Sequence, residues 1–199
     1  CAQTRTSCIK KPEIVKKLRD TGCIQLDFGV ESGSPKILKD LKKLITVEDA
    51  HRAFDLCHQH GMRTYANMMI NMPGETEEDL ALSQKLLERI KPTFIGFGVT
   101  QPYPGTALNS KVPKIDKKEY HLLDRMFPPE KWRLAEHKLD LRKTLEELMI
   151  KYKLVSVFEK SFFIAGSDYW KKIFTSKHRF KYIYYILRSF LGPPVIYLR

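Results

Sequence analysis

The chain has 199 residues, 43% of them hydrophobic and 11% aromatic, so it can bury a core of ordinary globular size and is not a disordered polypeptide. Its formal net charge is +12 at pH 7, and no apolar run reaches the ~20 residues that a membrane-spanning helix needs. Because no signal peptide is recognisable either, the chain is expected to be cytoplasmic or peripheral.

The first predicted strand covers residues 23–30 and leads directly into a polar turn. That turn, with the sequence Glu-Ser-Gly-Ser-Pro, carries a proline at a first helical position, which is typical of a helix start. Helical patterns follow over residues 36–43 and 46–60, and their length suits a parallel crossover. Because the chain begins at Cys1 and enters this pattern at once, it is expected to be the later part of a longer polypeptide.

A second strand is predicted over residues 65–72, which are apolar except for Asn67 and Asn71. These asparagines lie four residues apart and are therefore predicted to lie on the same side of a strand. Two amides on one face of an otherwise apolar strand indicate a polar partner on that face. A Pro-Gly turn follows, and Thr76 with the acidic residues after it predicts a helix over residues 77–90. The simplest interpretation is an ordinary strand-to-helix connection of an α/β protein.

A third strand is predicted over residues 94–100, and a turn with the sequence Gln-Pro-Tyr-Pro-Gly-Thr follows it. The repeat is therefore strand–helix, strand–helix, strand, with the strands expected to run parallel. The carboxyl ends of parallel strands meet at one edge, where ligands bind in α/β sheets and barrels. The three polar turns are thus predicted to share one site.

The change in composition predicts two regions: residues 1–108, which carry the repeat, and residues 109–199, which are mostly helical. Their boundary is the polar segment 109–118, which Pro113 breaks. Further on, two consecutive prolines and a glutamate open a long predicted helix over residues 131–152.

The C-terminal residues 168–199 carry seven basic residues and one acid, with aromatic residues between them. These rings can pack on the protein, lie at an anionic membrane surface or stack on RNA. Packing against the preceding helices is the favoured interpretation, because interleaved aromatic residues more often complete a core. The membrane surface and RNA stay open as alternatives.

The four cysteines show no Cys-x-x-Cys spacing, and they are expected to be reduced thiols. Cys23, at a strand start, and Cys57, on the apolar face of a helix, are predicted to belong to the core. Cys1 and Cys8 fit no core pattern, but two thiols alone make a poor metal site. The sequence therefore predicts no metal site within this chain.

Three turn motifs together resemble those of a known enzyme family. They are Gly-Val-Glu-Ser-Gly-Ser at residues 29–34, Pro-Gly-Glu-Thr at 73–76 and Tyr-Pro-Gly-Thr at 103–106. In this order they are similar to the later half of the barrel of radical S-adenosylmethionine enzymes. Within that superfamily the resemblance is to oxygen-independent coproporphyrinogen oxidases, methylthiotransferases and cobalamin-dependent enzymes such as the anaerobic magnesium-protoporphyrin ester cyclase. It implies an α/β fold, the later half of a partial (βα)6 barrel, followed by a mostly helical C-terminal region.

The resemblance also implies roles for residues after the first predicted strand. Glu31 matches the position whose carboxylate contacts the ribose or methionine part of S-adenosylmethionine, and Ser32 follows it in the same turn. Lys43 resembles a basic residue that reaches the carboxylate of the cofactor. These three residues are therefore expected to bind S-adenosylmethionine.

Further matches lie on the later strands. Asn67 matches a polar strand residue that contacts the nucleoside, while Gln101 and Tyr103 resemble the last strand end, where backbone groups meet the adenine. Asn71 and Leu44 depart from the family pattern, because glycine is common at both places. No catalytic base or nucleophile is assigned from the sequence.

The cysteine motif of the family, Cys-x-x-x-Cys-x-x-Cys, and its Gly-Gly-Glu turn are absent from the sequence. Without three thiolates the chain cannot anchor a [4Fe–4S] cluster. It is therefore expected to be a C-terminal fragment of a radical S-adenosylmethionine enzyme that contributes cofactor and substrate contacts and is inactive alone. The parent protein would supply the cluster, and cobalamin is a further cofactor that the resemblance allows.

A non-catalytic basic α/β module that binds an anionic membrane surface or RNA is the alternative function. The expected partners are a small-molecule substrate and, through residues 168–199, an anionic membrane surface, whereas DNA is not expected. An unpaired strand edge also predicts that the fragment associates with further copies of itself.

Overall fold

A computed structural model describes residues 1–123 and 127–151, with side chains as far as residue 148. Four parallel strands form one sheet, in the order β1 (Ala2–Thr4), β2 (Gln25–Glu31), β3 (Arg63–Ile70) and β4 (Phe94–Val99). The helices are α1 (Pro12–Asp20), α2 (Pro35–Asp40), α3 (Val47–Gln59), α4 (Glu77–Ile90) and α5 (Leu141–Lys151). Short 3₁₀ helices lie at Thr6–Cys8, Asn109–Lys111, Lys117–Leu122 and Glu130–Trp132. Since consecutive strands are neighbours joined by helices, the order is that of a βα barrel.

The two faces of the sheet differ in burial. Every second side chain of β2 and β3 is buried, and most of them belong to one core with α1, α3 and α4, as Phe28 and Met68 show. Ile70 at the end of β3 belongs to a second cluster with α5. The alternate residues are partly or fully exposed on the opposite side, which is called the open face below. The open face is formed by Asp27, Gly29, Tyr65, Asn67, Met69, Gly96 and Gly98. The wall of a βα barrel likewise has helices on its outer face and side chains that point to the barrel interior on its inner face.

The predicted α/β class and the strand–helix repeat are confirmed. The three predicted strands correspond to β2, β3 and β4 with ends shifted by at most two residues, and the helix at 77–90 has the predicted bounds. Thr46 and Thr76 begin α3 and α4 with capping boxes, in which each hydroxyl accepts from the backbone N–H three residues on. β1 and α1 have no counterpart among the predicted elements.

The long helix predicted over residues 131–152 is wrong, because α5 begins only at Leu141. Asp140 accepts from the backbone N–H of Lys143 at 2.9 Å and so marks the start of α5. Before it, the Arg133 guanidinium donates to the carbonyl oxygens of His137 and Leu139, at 3.3 and 2.9 Å. These bonds hold residues 133–139 outside a helix, although Leu134 continues the helical spacing of the leucines in α5.

The segment predicted as a polar linker, residues 109–118, contains one buried residue. Ile115 is 6% exposed and shares a cluster with Leu123 and the fully buried Trp132. Contacts delimit one compact unit as Cys1–Leu154, and the division of the chain at residue 108 stays a prediction. The basic aromatic residues 168–199 lie outside the described residues. Within the described residues, no helix is both long enough and apolar enough to span a membrane.

Candidate functional site

Glu31 ends β2 in a strained backbone conformation. Its φ is +67°, and the pairing of β2 with β3 shifts register between Gly29 and Glu31. The side chain folds back towards its own strand, so that a Cβ atom built on Gly29 would lie 2.7 Å from the Glu31 Oε1 atom. Non-glycine residues held in left-handed backbone conformations are often found at functional sites.

Lys43 makes an ion pair with Glu31 from the connection between α2 and α3. The Glu31 carboxylate is almost buried, whereas the lysine side chain is 44% exposed. Lys42 and Leu44, which flank Lys43, both have positive φ, at +53° and +54°. Because glycine adopts a positive φ without strain, it would suit position 44. The loop formed by residues 42–44 places the Lys43 ammonium at the carboxyl edge of the sheet.

Asn67 lies on the open face, where the sheet register pairs it with Gly29 on one side and Gly96 on the other. Its side-chain nitrogen donates to the Phe28 carbonyl oxygen at 3.3 Å, and the residue is exposed. The glycine on each neighbouring strand has no side chain of its own, but the Glu31 carboxylate lies over Gly29 and the Tyr65 ring over Gly96. Asn67 is therefore flanked on the open face by the polar groups of Glu31 and Tyr65.

Ser32 is fully buried and does not reach the open face. Its hydroxyl lies 3.2 Å from the Ser83 hydroxyl and accepts from the backbone N–H of Ser34 at 3.1 Å. The Gly33 N–H also donates to Ser83, at 2.9 Å. These contacts attach the turn after β2 to α4, so the Ser32 hydroxyl supports the turn rather than facing the edge.

Replacing Gly33 with alanine is expected to destabilise the protein by about 3 kcal/mol, because α4 approaches too closely for a side chain. A Cβ atom there would lie 2.6 Å from the Leu82 carbonyl carbon and 2.7 Å from the Ser83 Cα. Gly22→Ala is the control: nothing lies within 4 Å of its Cβ position, so only its φ of +88° opposes the change. That control is expected to cost about 1 kcal/mol in urea unfolding. Equal losses in both variants would contradict the close packing of Gly33.

Asp79 joins the turns that follow β2 and β3. It accepts from the Ser34 hydroxyl at 2.5 Å and pairs with Lys36, whose ammonium also donates to the Gly74 carbonyl oxygen at 2.8 Å. Burial opposes ionisation of Asp79, but hydrogen bonds from Ser34, Thr76 and Lys36 outweigh it and lower its pKa from 3.8 to about 2. The turns after β2 and β3 are therefore held together by a carboxylate.

Acid is expected to weaken the protein through Asp79. Its pKa is lower in the folded chain, so the stabilisation is complete above the unfolded pKa near 4 and is lost as the pH falls from about 4 to 2. The loss should be about 2 kcal/mol. Urea unfolding at pH 6, 4 and 2.5 measures it, and Asp79→Asn should unfold more easily at pH 6 with a shallower loss below pH 4. A wild-type-like acid slope in the variant would contradict this account.

Asn71 follows the end of β3 with a φ of +61°, again a conformation that suits glycine. Its amide nitrogen donates to the Thr100 carbonyl oxygen at 2.9 Å, and its amide oxygen accepts from the N–H groups of Leu134 and Ala135, at 3.0 and 3.2 Å. Only Asn67 of the two asparagines lies on the open face. The predicted pair of amides on one face is therefore wrong, because Asn71 binds protein backbone instead.

Glu75 is a buried residue that the sequence pattern did not single out. Its Oε2 atom accepts from the N–H groups of Asn71 and Met72, at 2.8 and 3.3 Å, and lies 3.4 Å from the Nε2 atom of the equally buried His137. Its backbone oxygen accepts from Glu136 and His137. These contacts fix residues 133–137 onto the turn after β3. The sequence alone does not predict this arrangement, because the partners are about 60 residues apart.

Gln101 and Tyr103 follow β4, two strands from Glu31. The Tyr103 hydroxyl donates to the Leu123 carbonyl oxygen at 3.1 Å, and its side chain is 46% exposed. Gln101 is half-buried, and its backbone oxygen accepts from the Tyr103 N–H at 3.0 Å. The structure thus joins Glu31 to Lys43 directly and places Asn67 beside them, while Gln101 and Tyr103 stand at the far end of the same edge.

The donor set does not fit an iron–sulfur cluster. Cys1 and Cys8 are exposed, Cys23 is half-buried, and burial raises the pKa of the Cys57 thiol to about 12. Among the described residues, no group of three or more histidine, cysteine, aspartate or glutamate side chains is placed to hold a metal ion. The donors at the carboxyl edge suit a different ligand, one with hydroxyl groups for Glu31 and a carboxylate for Lys43.

Comparison with known proteins gives a family match. The model of the radical SAM superfamily matches residues 2–87. An uncharacterized methyltransferase of Pyrococcus horikoshii is 30% identical over 96 residues, which are 48% of this chain and 21% of that protein. The anaerobic magnesium-protoporphyrin IX monomethyl ester cyclase of Rubrivivax gelatinosus is 23% identical over 94% of this chain and 32% of its own length.

The fold has a match among solved structures. Coproporphyrinogen III oxidase from Escherichia coli, described as a radical SAM enzyme, superposes with a TM-score of 0.55 at 14% identity, covering 76% of this chain and 32% of that chain. The superfamily match confirms the family resemblance seen in the sequence, and the structural match confirms the α/β fold of a partial barrel. The chain spans between about a fifth and a third of the length of these relatives. None of them supports a non-catalytic membrane- or RNA-binding module.

Proposed function

Because residues 2–87 belong to the radical S-adenosylmethionine superfamily, we propose that this chain supplies S-adenosylmethionine and substrate contacts to an iron–sulfur enzyme. The observation that carries the proposal is the Glu31–Lys43 ion pair at the carboxyl edge, set beside an open face lined with glycine. Ligands bind at this edge in α/β barrels. The family implies S-adenosylmethionine and a [4Fe–4S] cluster as cofactors.

In this proposal the two charges of the pair separate to meet two parts of the cofactor. The Glu31 carboxylate accepts the ribose hydroxyls, for which its two oxygens and nearly buried position suit it. Lys43, being the more exposed partner, turns to the methionine carboxylate. Glu31 then exchanges the Lys43 ammonium for the ribose hydroxyls, and Lys43 exchanges the Glu31 carboxylate for the methionine carboxylate. Neither charged side chain is left without a partner.

The other residues of the edge have supporting roles. Asn67 contacts the nucleoside from the open face, and the backbone near Gln101 and Tyr103 meets the adenine. Ser32 contributes by fixing the turn that carries Glu31 onto α4. The glycines beside Asn67 let the Glu31 carboxylate and the Tyr65 ring lie close to the sheet on either side of it.

The cluster ligands come from outside these 199 residues in this proposal. The cluster and S-adenosylmethionine supply the radical chemistry of the family, whereas the residues of this chain bind and orient. The substrate is proposed to be a small molecule, and cobalamin as an additional cofactor rests only on the sequence resemblance. The reaction type and substrate are not fixed by the residues at the edge.

The natural protein that carries this chain provides the test. It is purified without oxygen, reconstituted with iron and sulfide, and mixed with S-adenosylmethionine, whose binding is measured by calorimetry and whose consumption after dithionite is measured by chromatography. We expect saturable binding, and consumption only when the cluster is present. A protein that holds a cluster but neither binds nor consumes S-adenosylmethionine would contradict the proposal.

A further inference from the structure

One layer of the open face carries an acid and two aromatic rings. The sheet register aligns Gln3, Asp27, Tyr65 and Phe94 across all four strands. Tyr65 and Phe94 are tilted rings whose centroids lie 6.4 Å apart, and all three residues of β2, β3 and β4 in this layer are partly exposed. A carboxylate beside two rings is therefore presented on the side of the sheet away from the helices.

The next layer towards the carboxyl edge consists of Gly29, Asn67 and Gly96, so two of its three positions lack a side chain of their own. The Glu31 carboxylate lies over Gly29, with its Oε1 atom 2.7 Å from the Cβ position. The Tyr65 ring extends over Gly96, because a Cβ atom there would come within 2.9 Å of its Cε1 atom. The phenol hydroxyl is thus carried towards the edge, and Asp27 lies one layer below the Glu31 carboxylate.

Asp27 lacks a cationic partner among the described residues. Its carboxylate accepts from the side-chain nitrogen of Gln25 at 2.8 Å, and no lysine, arginine or histidine of the described ranges forms an ion pair with it. Arg63 aligns with Gln25, one layer further from the edge. Burial raises the pKa of Tyr65 and the charge of Asp27 adds to the effect, so the phenol stays a neutral hydrogen-bond donor beside an anion.

We propose that Asp27, Tyr65 and Phe94 form a subsite for a protonated nitrogen of the small-molecule substrate, an inference that rests on the proposed function. Asp27 supplies the opposite charge, and the ring faces attract a cation within about 6 Å of their centroids. The Tyr65 hydroxyl binds a neighbouring polar group of the same ligand.

The subsite lies one layer from the cofactor contacts. Asp27 precedes Glu31 by four residues of β2, but the Glu31 side chain folds back so that its Oε1 atom lies 2.7 Å from the Cβ position of Gly29, in the layer next to Asp27. Positions two residues apart on a strand are separated by roughly 7 Å. A substrate nitrogen at Asp27 therefore lies beside the edge where S-adenosylmethionine is proposed to bind and does not replace the contacts of Glu31 or Lys43.

Three probes that share a phenylethyl group and differ in charge test the charge preference in the natural protein. They are 2-phenylethylammonium, neutral 2-phenylethanol and anionic 3-phenylpropionate, with dissociation constants measured at pH 7 by ligand-observed NMR. We expect the ammonium to bind about tenfold more tightly than the alcohol, and the carboxylate to bind least. Asp27→Asn should abolish the preference, Asp27→Glu should keep it, and Asp20→Asn, an exposed control at the end of α1, should leave it unchanged.

Binding of S-adenosylmethionine, measured in parallel, separates this inference from the proposed function. Asp27→Asn should bind the cofactor as the wild type does, because Asp27 lies one layer below the Glu31 carboxylate and makes none of the proposed cofactor contacts. The inference is overturned if wild type shows no preference for the ammonium, if Asp27→Asn retains it, or if Asp27→Glu loses it while still folded. It is also overturned if Asp27→Asn loses cofactor binding, since Asp27 would then serve the cofactor. A wild type that prefers the ammonium but ignores S-adenosylmethionine supports the subsite and contradicts the proposed function.

Discussion

Replacing Glu31 with alanine is expected to lower the affinity of the natural protein for S-adenosylmethionine by about tenfold to a hundredfold. The reason is the loss of charge-assisted hydrogen bonds to the ribose, which are worth on the order of 1.5–3 kcal/mol. Glu31 is nearly buried, so water replaces these bonds poorly. Calorimetric titration of the cluster-loaded protein measures the change.

Two controls accompany this measurement. Glu13→Ala changes an exposed glutamate on α1 and should leave the affinity unaltered. Iron content should be equal in all proteins, because no cluster ligand is changed. If Glu31→Ala bound S-adenosylmethionine as tightly as wild type with its cluster intact, the assignment of Glu31 to the ribose would fail.

Replacing Glu75 with alanine is expected to lower the free energy of unfolding by about 3–5 kcal/mol. The change removes the acceptor for the N–H groups of Asn71 and Met72 and leaves them buried. It also leaves His137 without the carboxylate 3.4 Å away, so residues 133–137 lose a contact with the barrel. Urea unfolding of the variant and the wild type measures the difference.

Glu75→Gln separates the hydrogen bonds from the charge. The amide oxygen can still accept from both backbone groups, so this variant should lose only about 1–2 kcal/mol. Glu77→Ala, at an exposed position in the first turn of α4, should change stability by less than about 0.5 kcal/mol. A Glu75→Ala protein as stable as Glu77→Ala would show that the buried carboxylate does not hold this turn.

The sheet and its edge were predictable because their signals are local. Apolar runs that end in polar turns predicted β2, β3 and β4. Thr46 and Thr76, as N-cap residues, predicted the starts of the helices that follow them. The position of Glu31 and Lys43 at the carboxyl edge also follows from strand order. Their direct contact does not, because it depends on the left-handed backbone at Glu31 and at the residues flanking Lys43.

The roles of Ser32 and Asn71 were not predictable from the sequence. A short polar side chain after a strand looks the same whether it faces a ligand or binds the protein. The partner of Ser32 is 51 residues away, and that of Asn71 is 63 residues away. Only tertiary structure brings such partners together, and it assigns both side chains to the support of the site.

The segment before α5 shows how tertiary contacts override a periodic pattern. Leu134 lies seven residues before Leu141 and so continues the helical spacing of the leucines in α5, which favours a helix when nothing else acts. In the folded chain, Arg133 binds two carbonyl oxygens and Asn71 binds two N–H groups of residues 134–135, so these backbone groups have partners without a helix. The helix therefore starts at Leu141, where these contacts end.

A crystal structure of the natural protein with S-adenosylmethionine bound is the most direct test of the binding edge. We expect the ribose hydroxyls to lie roughly 2.5–3.0 Å from the Glu31 carboxylate, with Lys43 turned from Glu31 to the methionine carboxylate. Asn67 should contact the nucleoside on the open face. A cofactor bound elsewhere, with the Glu31–Lys43 ion pair intact, would contradict the claim that this chain provides the binding edge.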